Sequence, residues 1–464
     1  MEKLFKLKEH GTDVKTEISA GITTFMTMAY ILVVNAGMLS ETGSVSYGAM
    51  YISTALSAVV GTLLMAFLAN LPLGLASGMG LNAFFVYTVC FTYGFTYANA
   101  LVFVLMDGII FIVLSVTGLR KAIFEAIPDC VRKAIPAGIG LFIAFIGMQN
   151  SGLVIPSPAT GVTMASMNLL GGATWASIMP LFVFLCGVML IAIMSKRNVK
   201  GAIIWGILGS TVLYYVFGAT IPGFYDGFFS SMSLNPIAAF GEFFDQAFLT
   251  VFREGFDFST YLASHSTASL VLNFCTTALA FCLVDMFDTM GTLYGACARG
   301  DMLTEKGEVP NMNQAMRADA IATCTGAVCG TSTVTTFVES SAGVGEGGRT
   351  GMTSLVVAGC FAIALFLSPV AMLVPGCAAA AALVYVGILM ISCVREINWT
   401  DPAVSVPAFM TMGMMVYTYS ISYGIAFGVL SSLLINLFTG KAKDIKIGTW
   451  VIGVLFLAMF LLTH

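Results

Sequence analysis

The chain has 464 residues, of which 58% are hydrophobic and only 9% charged, and its formal net charge is −4. Because soluble domains carry roughly 25% Asp, Glu, Lys and Arg, this composition excludes a soluble globular protein, and it offers no basic surface for nucleic acid. Apolar stretches of about 20 residues, enough to cross a bilayer as a helix, recur from Ile18 to the C-terminus. The sequence therefore predicts an all-α polytopic membrane protein.

The first half of the chain predicts seven spans. A mixed-charge tail precedes the first of them, and that span lacks a small-residue cleavage pattern, so we expect a retained span and not a signal peptide. The predicted spans cover residues 18–38, 51–70, 72–92, 98–118, 134–153, 175–194 and 200–220. Residues 1–220 form the predicted first repeat.

The second half predicts seven more spans after a polar extracytoplasmic loop at 221–267. These spans cover residues 268–293, 317–333, 334–349, 351–372, 376–394, 403–419 and 421–438. Residues 268–440 form the predicted second repeat, and 441–464 form a C-terminal hydrophobic segment. Its apolar stretch 447–462 is either an additional span or an interfacial helix.

The basic residues predict the orientation of the chain. Cytoplasmic loops of membrane proteins hold an excess of Lys and Arg. With a cytoplasmic N-terminus, Arg253 alone among the twenty Lys and Arg residues falls on the outer side. Seven spans per repeat make the two repeats inverted, which is the usual construction of secondary transporters. We therefore expect a multi-pass protein of the cell membrane with its N-terminus in the cytoplasm.

Two predicted spans are interrupted. Span 3 opens with Gly74, Gly78 and Gly80 close together, and span 10 combines glycine with β-branched and small residues from Gly330 to Gly348. Such composition lowers helix propensity and leaves backbone groups unpaired, which membrane proteins tolerate only around a cavity. Close helix packing is the alternative explanation for single glycines. The pattern favours a substrate site where the two spans meet.

Carboxylates inside predicted spans are the strongest functional candidates, because an ionised group there costs at least about 2.5 kcal/mol. No Lys or Arg lies at comparable depth to neutralise them. Six acidic residues qualify: Asp107, Asp285, Asp288, Asp319, Glu339 and Glu346.

Asp285 and Asp288 are three residues apart, which predicts one shared helix face that Thr289 extends. Two close carboxylates can share a proton, and carboxylate and hydroxyl oxygens suit Na+ equally. Glu339 lies in the interrupted tenth span among Ser and Thr, where free N–H groups beside a carboxylate suit a flat heterocycle with alternating NH and C=O groups.

The other three acids have simpler interpretations. Glu346, next to Arg349, favours a structural position near the inner surface. Asp319 follows Arg317 near the start of span 9, which is typical of a membrane-edge charge. Asp107 lies in mid-span, where structural bonding and a functional role remain equally open.

The sequence gives no support for an enzymatic activity. Gly343-x-Gly345-x-x-Gly348 follows no strand of a βαβ unit, so it does not indicate nucleotide binding. The chain contains no Walker A motif, no H-E-x-x-H and no G-x-S-x-G. Its eleven cysteines form no C-x-x-C pair, and we expect buried, unmodified thiols. The sequence predicts neither an enzyme nor a bound cofactor or metal.

Four segments together resemble the nucleobase:cation symporters of the xanthine/uracil permease superfamily, in particular the adenine/guanine/hypoxanthine permease branch. They are GITTFMTMAYILVVN in span 1, GMGLNAFF in span 3, DMFDTMGTLYG in span 8 and GTSTVTTFVESSAGVGEGGRTG in span 10. The resemblance covers essentially the whole chain. It implies 14 spans in two inverted repeats, with a core domain from spans 1 to 4 and 8 to 11 and a gate domain from spans 5 to 7 and 12 to 14.

The resemblance also implies site residues. By motif position, Asp285 is similar to the eighth-span acid that binds the base edge, and Glu339 to the tenth-span glutamate. Backbone at Met79 and Ser340 supplies further contacts. Uracil-type relatives have a histidine four residues after the eighth-span acid. Here that place holds Thr289, a candidate substrate contact.

Further polar positions of this branch are matched by Asn35 in span 1, in a supporting role, and Asn82 in span 3, as a candidate substrate contact. Gly78 and Gly80 are expected to support the site. Because the histidine is absent, Asp288 is the substitute candidate for the coupling proton.

These observations predict a proton-coupled importer of a purine base, adenine, guanine and/or hypoxanthine, that works by alternating access. Asp285 and Glu339 would hold the base, and Asp288, with Asp285, would exchange the proton. The alternatives are another small solute, such as xanthine, uracil or an anion, and coupling to Na+ in place of H+. Expected partners are the base, the lipid bilayer and, as relatives suggest, a second copy in a homodimer.

Overall fold

The computed structural model describes residues 2–117, 126–225, 236–305, 308–441 and 445–462. Within these ranges nine helices are long and apolar enough to cross a membrane, and four shorter apolar helices accompany them. Each predicted span corresponds to a helix, or to a short strand and a helix in series. The basic residues Arg120, Lys121, Lys306 and Lys443, which contributed to the predicted orientation, lie outside the described residues.

The first seven spans follow one another with short connections. Their helices are Val14–Met28 and Tyr30–Ser40 for span 1, Tyr47–Leu64 and Met65–Ala69 for span 2, Met79–Ala83 and Phe84–Thr92 for span 3, Tyr97–Thr117 for span 4, Asp129–Asn150 for span 5, Trp175–Lys196 for span 6 and Ala202–Gly218 for span 7. A hairpin of β2 (Val154–Ser157) and β3 (Gly161–Met164) follows span 5.

The second seven spans repeat this order after a connecting loop that contains short helices at Pro236–Glu242, Phe243–Ala247, Thr250–Arg253 and Ser259–Leu262. Their helices are Thr267–Arg299 for span 8, Met312–Cys329 for span 9, Ser340–Gly345 for span 10, Gly351–Ala364, Leu365–Leu367 and Ser368–Ala371 for span 11, Gly376–Met390 and Ile391–Glu396 for span 12, Pro402–Tyr417 for span 13 and Ile421–Phe438 for span 14.

The C-terminal apolar stretch forms a helix at Ile447–Leu462 that packs against spans 8 and 14.

Several spans begin at side chains that cap the helix. The side chain of Ser46 accepts a hydrogen bond from a first-turn N–H of span 2, and Ser266 and Ser420 do the same for spans 8 and 14. Thr174 and Ser177 form a reciprocal capping box at span 6. These caps satisfy N–H groups that a helix leaves without intrahelical partners. The polar residues between apolar runs thus set where the helices start.

Spans 3 and 10 each open with a strand, β1 (Leu75–Ser77) and β4 (Val334–Thr336), and the two strands pair antiparallel. The register places Ala76 opposite Thr335. The chain was predicted to be interrupted here, and the pairing shows how the exposed backbone is satisfied. The backbone N–H and C=O groups of β1 and β4 hydrogen-bond to each other, so they need no water inside the membrane.

The spans pack in two groups, which we call the core bundle and the gate bundle. In the core bundle, spans 4 and 2 pack on span 9, spans 1 and 2 on span 11, and span 8 on span 4, with β1 and β4 between them. In the gate bundle, span 5 packs on spans 12 and 13, span 6 on spans 7 and 12, and span 13 on span 14. Packing between the two bundles is less extensive.

A cavity of about 710 Å³ separates the two bundles at one end. Its core side is formed by Phe287, Met290 and neighbouring residues of span 8, and its gate side includes Arg132 and Lys133 of span 5. These basic residues belong to the side predicted to be cytoplasmic. The cavity therefore opens toward the predicted cytoplasmic side.

Several hydrogen bonds join the bundles at the opposite end. Three of the residues involved, Glu41, Tyr87 and Asn150, we call the outer latch, because this end is predicted to be extracytoplasmic. The Tyr87 hydroxyl donates to Glu41 Oε2 at 2.8 Å. The Asn150 amide of span 5 donates to Glu41 Oε1 at 3.0 Å and to the Tyr87 hydroxyl at 2.9 Å. The end that holds Glu41, Tyr87 and Asn150 is thus closed, while the end that holds the cavity is open.

Candidate functional site

Backbone hydrogen bonds around β1 and β4 hold the two broken spans together. The Gly78 N–H donates to the Thr333 carbonyl at 2.9 Å, and the Phe337 N–H donates to the Gly74 carbonyl at 3.0 Å. A Cβ on Gly78 would lie 2.7 Å from Thr335 Cγ2, so only glycine allows the strands to approach this closely. We call this pairing of β1 with β4 the strand crossing.

Glu339 lies just after β4, and its carboxyl is held by Tyr30. The Tyr30 hydroxyl donates to Glu339 Oε1 at 2.7 Å, and the Thr27 hydroxyl, which donates to the Thr24 carbonyl at 2.7 Å, lies 3.4 Å from the Glu339 carbonyl. Asp288 of span 8 interacts electrostatically with both Glu339 and Tyr30. Asp288 and Glu339 are both half-buried. We call Tyr30, Asp288 and Glu339 the central site.

One residue of the central site, Asp288, is next in sequence to the wall of the cavity between the bundles. The cavity is lined by Phe287 and Met290, the residues on either side of the Asp288–Thr289 pair. An acidic site beside an open cavity can accept N–H groups of a ligand, because ionised carboxylates only accept hydrogen bonds.

Asp285 does not share this position. It is fully buried, and its Oδ2 lies 3.3 Å from the Thr323 hydroxyl of span 9. Its electrostatic neighbours are Asp319, Asp107 and, more weakly, Asp288. Asp285 and Asp288 are only about 60° apart around the axis of span 8, and their charges interact. Their burial differs, since Asp285 is fully buried and Asp288 is half-buried.

Asp319 is not a membrane-edge charge, as its sequence position suggested. It is fully buried, and it accepts hydrogen bonds from Thr289 at 2.8 Å and from Thr336 at 2.9 Å. Asp107 is also fully buried, and Thr333 donates to its Oδ2 at 3.2 Å. We call Asp107, Asp285 and Asp319 the sealed carboxyl cluster, since all three are shut off from the cavity.

Two predicted substrate contacts have other partners in the structure. The Thr289 hydroxyl lies between Asp319 and the Thr335 hydroxyl, the latter at 2.7 Å, and is fully buried. The Ser340 N–H donates to the Phe337 carbonyl at 3.1 Å, and the Ser340 hydroxyl accepts from the Gly74 N–H at 3.0 Å. Both residues stabilise the strand crossing here.

The predicted polar positions of spans 1 and 3 lie beside the crossing. Asn35 donates to Thr54 at 2.7 Å and to Thr331 at 3.0 Å, and Thr331 is 2.7 Å from the Ser77 hydroxyl. Asn82 accepts from the Ser332 hydroxyl. This network joins span 1 to both strands.

Met79 and Gly80 begin the helix after β1. Met79 is buried, and the Asn82 amide approaches its sulfur at 3.9 Å. A Cβ on Gly80 would lie 2.5 Å from Ile139 Cγ2, so this glycine lets span 3 pack closely on span 5 of the gate bundle.

Among the described residues, no ion pair includes a residue of the central site or of the sealed carboxyl cluster. Glu346 instead pairs with Lys200 at 2.7 Å and is exposed, in line with its predicted surface position. In the described part of the chain, no three His, Cys, Asp or Glu residues are arranged to hold a metal ion.

Sequence reasoning missed two residues. Tyr30 carries no charge and sits in an apolar run, so nothing but its hydroxyl signals a role. Glu17 is a buried carboxylate at the start of span 1, and it accepts from the N–H groups of Arg349 at 2.8 Å and Thr353 at 2.9 Å. Glu17 therefore caps span 11.

Comparison with known proteins identifies the relatives of this chain. A model of the xanthine/uracil permeases, described as a permease family, matches residues 15–427. The chain is 36% identical to the adenine permease AdeP of Escherichia coli K12, covering 98% of this chain and 95% of AdeP. It is 37% identical to the guanine/hypoxanthine permease PbuO of Bacillus subtilis, covering 98% of both chains.

Solved structures share the fold at low sequence identity. The transmembrane domain of the cyanobacterial bicarbonate transporter BicA has a TM-score of 0.58 at 16% identity, covering 92% of this chain and 97% of that chain. Murine Slc26a9, an anion transporter in the inward-facing state, has a TM-score of 0.63 at 12% identity, covering 92% of this chain and 69% of that chain. The fold is that of a transporter with core and gate domains, and the chain is a membrane permease, not an enzyme. It belongs to the xanthine/uracil permease family, in the group that contains the adenine and guanine/hypoxanthine permeases.

Proposed function

We propose that this permease is a secondary active transporter that imports purine nucleobases, namely adenine, guanine and/or hypoxanthine, by proton symport. The observation that carries the proposal is the central site, where the charges of Asp288 and Glu339 interact and Asp288 directly follows Phe287 of the cavity wall. The curated relatives at 36% and 37% identity bear the names of adenine and guanine/hypoxanthine permeases.

The chemistry of the central site suits a purine. The N–H groups of a purine ring and of its exocyclic amine are donors, and two carboxylates offer acceptors for them. The Tyr30 hydroxyl donates to Glu339 and thereby orients one of these acceptors. An anion, the main rival among substrates, would meet negative charge at this position.

The structure supports an exchange of the two roles expected from the sequence. Asp288 is half-buried and interacts with Glu339, so we assign base binding to Asp288 and Glu339. Asp285 is fully buried beside Asp107 and Asp319, so we assign it to the coupling proton. Asn35, Asn82, Gly78 and Gly80 position the strand crossing, and Thr289 and Ser340 support it.

Alternating access accounts for the asymmetry between the two ends. The outer latch closes one end, and the cavity of about 710 Å³ opens the other. Movement of the core bundle against the gate bundle would close the cavity and break the Asn150 contacts to Glu41 and Tyr87. The central site would then face the outside.

The proposed setting is the cell membrane with a cytoplasmic N-terminus. Arg132 and Lys133 line the open cavity, and basic residues favour the cytoplasmic side, so the observed state would face the cytoplasm. A homodimer is part of the proposal, and coupling to Na+ is the alternative to H+.

A competition experiment tests the proposal. Cells that lack their own purine and pyrimidine permeases would express the chain and take up labelled hypoxanthine at two external pH values. We expect unlabelled adenine, guanine or hypoxanthine to compete better than uracil or bicarbonate, and uptake to rise at acidic pH without Na+. Uptake that depends on Na+ would refute proton coupling. Competition by uracil or an anion alone would refute a purine substrate.

A further inference from the structure

The sealed carboxyl cluster brings three carboxyls together without a basic partner among the described residues that hydrogen-bond to it. Asp107 comes from span 4, Asp285 from span 8 and Asp319 from span 9, and all three are 0% exposed. The charges of Asp107, Asp285 and Asp319 interact with one another. Three buried carboxylates cannot all be ionised at this depth without a large desolvation cost.

The hydrogen bonds indicate which member is ionised. Asp319 accepts from a threonine hydroxyl at each of its oxygens, at 2.8 Å from Thr289 and 2.9 Å from Thr336. Hydrogen bonds to both oxygens stabilise the charged form of a carboxyl group. Asp319 is therefore the carboxylate of the cluster.

Asp285 has a different arrangement. The Thr323 hydroxyl lies 3.0 Å from the Val334 carbonyl and 3.3 Å from Asp285 Oδ2. A hydroxyl has one hydrogen and a carbonyl can only accept, so the hydrogen of Thr323 belongs with the nearer Val334 oxygen. A proton on Asp285, donated to the Thr323 oxygen, would satisfy this contact.

Asp107 is as poorly satisfied as Asp285. Thr333 donates to its Oδ2 at 3.2 Å, and its Oδ1 is buried without a hydrogen-bond partner, as is Oδ1 of Asp285. The titratable groups that face Asp107 are Cys282 and Asp285 from span 8 and Asp319 and Cys324 from span 9. None of these groups brings a positive charge.

We infer that Asp107 is a proton-binding carboxyl of the transport cycle and forms, with Asp285, a proton site that is separate from the central site. The inference rests on the proposed symport and extends it to span 4. Loading adds one H+ from water to a carboxylate oxygen of the pair, forming one O–H bond. Unloading returns the proton to water on the cytoplasmic side.

Electrostatics connects this proton site to the central site. Asp288 interacts with both Asp285 and Asp319. A proton added to the cluster removes one negative charge behind Asp288, so the carboxylate of Asp288 is easier to hold in its ionised, base-accepting form. Base binding and proton binding would therefore favour each other.

The test uses the full chain in liposomes and the Asp107→Asn variant, whose amide has the shape of a protonated carboxyl. Three quantities are measured: exchange of labelled base without a gradient, accumulation driven by a pH gradient, and base-induced proton influx reported by an internal pH dye. Ser115→Ala, which removes another buried polar group of span 4, is the matched control.

We expect Asp107→Asn to exchange base within about threefold of the wild type. With an imposed gradient of one pH unit, the wild type should accumulate base about tenfold, because one pH unit is a tenfold proton ratio. The variant should lose this accumulation and the proton influx, and Ser115→Ala should keep both. Unchanged accumulation and influx in Asp107→Asn would overturn the inference, and so would loss of exchange in a well-folded variant.

Infrared spectroscopy separates this inference from the proposed function. Without any substrate, the wild type should show a protonated-carboxyl band at neutral pH, and its intensity or frequency should change in Asp107→Asn, because the two carboxyls of the pair interact. If the wild type transports no base, the proposed function fails while the infrared band still decides the assignment of Asp107. The same band in both proteins would overturn the assignment of Asp107 as a proton-binding carboxyl. So would an accumulation of base that is driven by Na+ and requires Asp107.

Discussion

Glu339 and Glu346 share one short segment and differ in their surroundings. Glu339 is half-buried and accepts from the Tyr30 hydroxyl, and Glu346 is exposed and pairs with Lys200. The same chemical change at the two positions therefore separates a binding carboxylate from a surface charge.

We expect Glu339→Gln to lower base uptake by at least about tenfold, since a hydrogen bond to a charged group contributes about 1.5–3 kcal/mol. Asp288→Asn should have a similar effect. Glu346→Gln should stay near the wild type, because exposed ion pairs contribute little. Labelled uptake normalised to membrane expression measures all three. Equal loss in Glu339→Gln and Glu346→Gln would argue for a general folding defect instead of lost binding.

At the residue scale, composition alone identified the carboxylates but not their roles. A charge inside an apolar run is visible in any sequence, so Asp285, Asp288 and Glu339 were found. Which neighbours each carboxyl meets depends on helix rotation and on spans far away in the chain. The hydroxyl donors Thr323 and Thr336 are common residues whose contacts no local pattern predicts.

The pairing of β1 with β4 decides the geometry at the element scale. Gly and β-branched residues predicted that spans 3 and 10 are interrupted. They did not predict strands, because a three-residue strand has too short a pattern to be distinguished from a loop. The partner strand also comes from the other repeat, so no local signal shows that the two meet.

Gly78→Ala tests how tightly the strands must approach. The added Cβ would lie 2.7 Å from Thr335 Cγ2, and overpacking of this kind costs about 1–3 kcal/mol. We expect a lower melting temperature in detergent and weaker uptake. Gly359→Ala is the control, because that glycine is exposed in a helix with no atom within 4 Å of the added Cβ. A Gly78→Ala protein with the same melting temperature as the wild type would contradict the close approach of β1 to β4.

At the scale of the whole molecule, the outer latch connects the core and gate bundles. Glu41 lies beyond the end of span 1, where burial of its carboxyl raises the pKa, while hydrogen bonds from Tyr87 and Asn150 act in the opposite direction. A raised pKa means that the closed latch binds a proton more tightly than a carboxyl exposed to water does. Acidic pH therefore favours the closed outer end, and this preference is lost as pH rises through the pKa of the closed state.

We expect backbone hydrogen exchange in Phe84–Thr92 of span 3, corrected for its intrinsic pH dependence, to be slower at acidic pH, when the outer end is closed. Glu41→Gln should exchange slowly across the whole range, because its side chain stays neutral. A pH dependence in Glu41→Gln equal to that of the wild type would remove Glu41 from this equilibrium.

The span order of the whole molecule was accessible from the sequence because membrane helices are long and uniformly apolar. Span 9 is the exception. It has lower hydropathy than the nine long apolar helices and lies between spans 2 and 4, so protein covers most of its surface. The open cavity and the closed latch could not be predicted, since they depend on how two bundles sit in one state of a cycle.

The strand pairing also constrains biosynthesis. Leu75 pairs with Thr336, so β1 leaves the ribosome long before its partner is made. Until span 10 is inserted, the three residues of β1 have unpaired backbone groups, and placing these groups in hydrocarbon costs a large free energy. We expect the first repeat, expressed alone, to insert span 3 incompletely and to be degraded, and co-expression of the second repeat as a separate chain to rescue it.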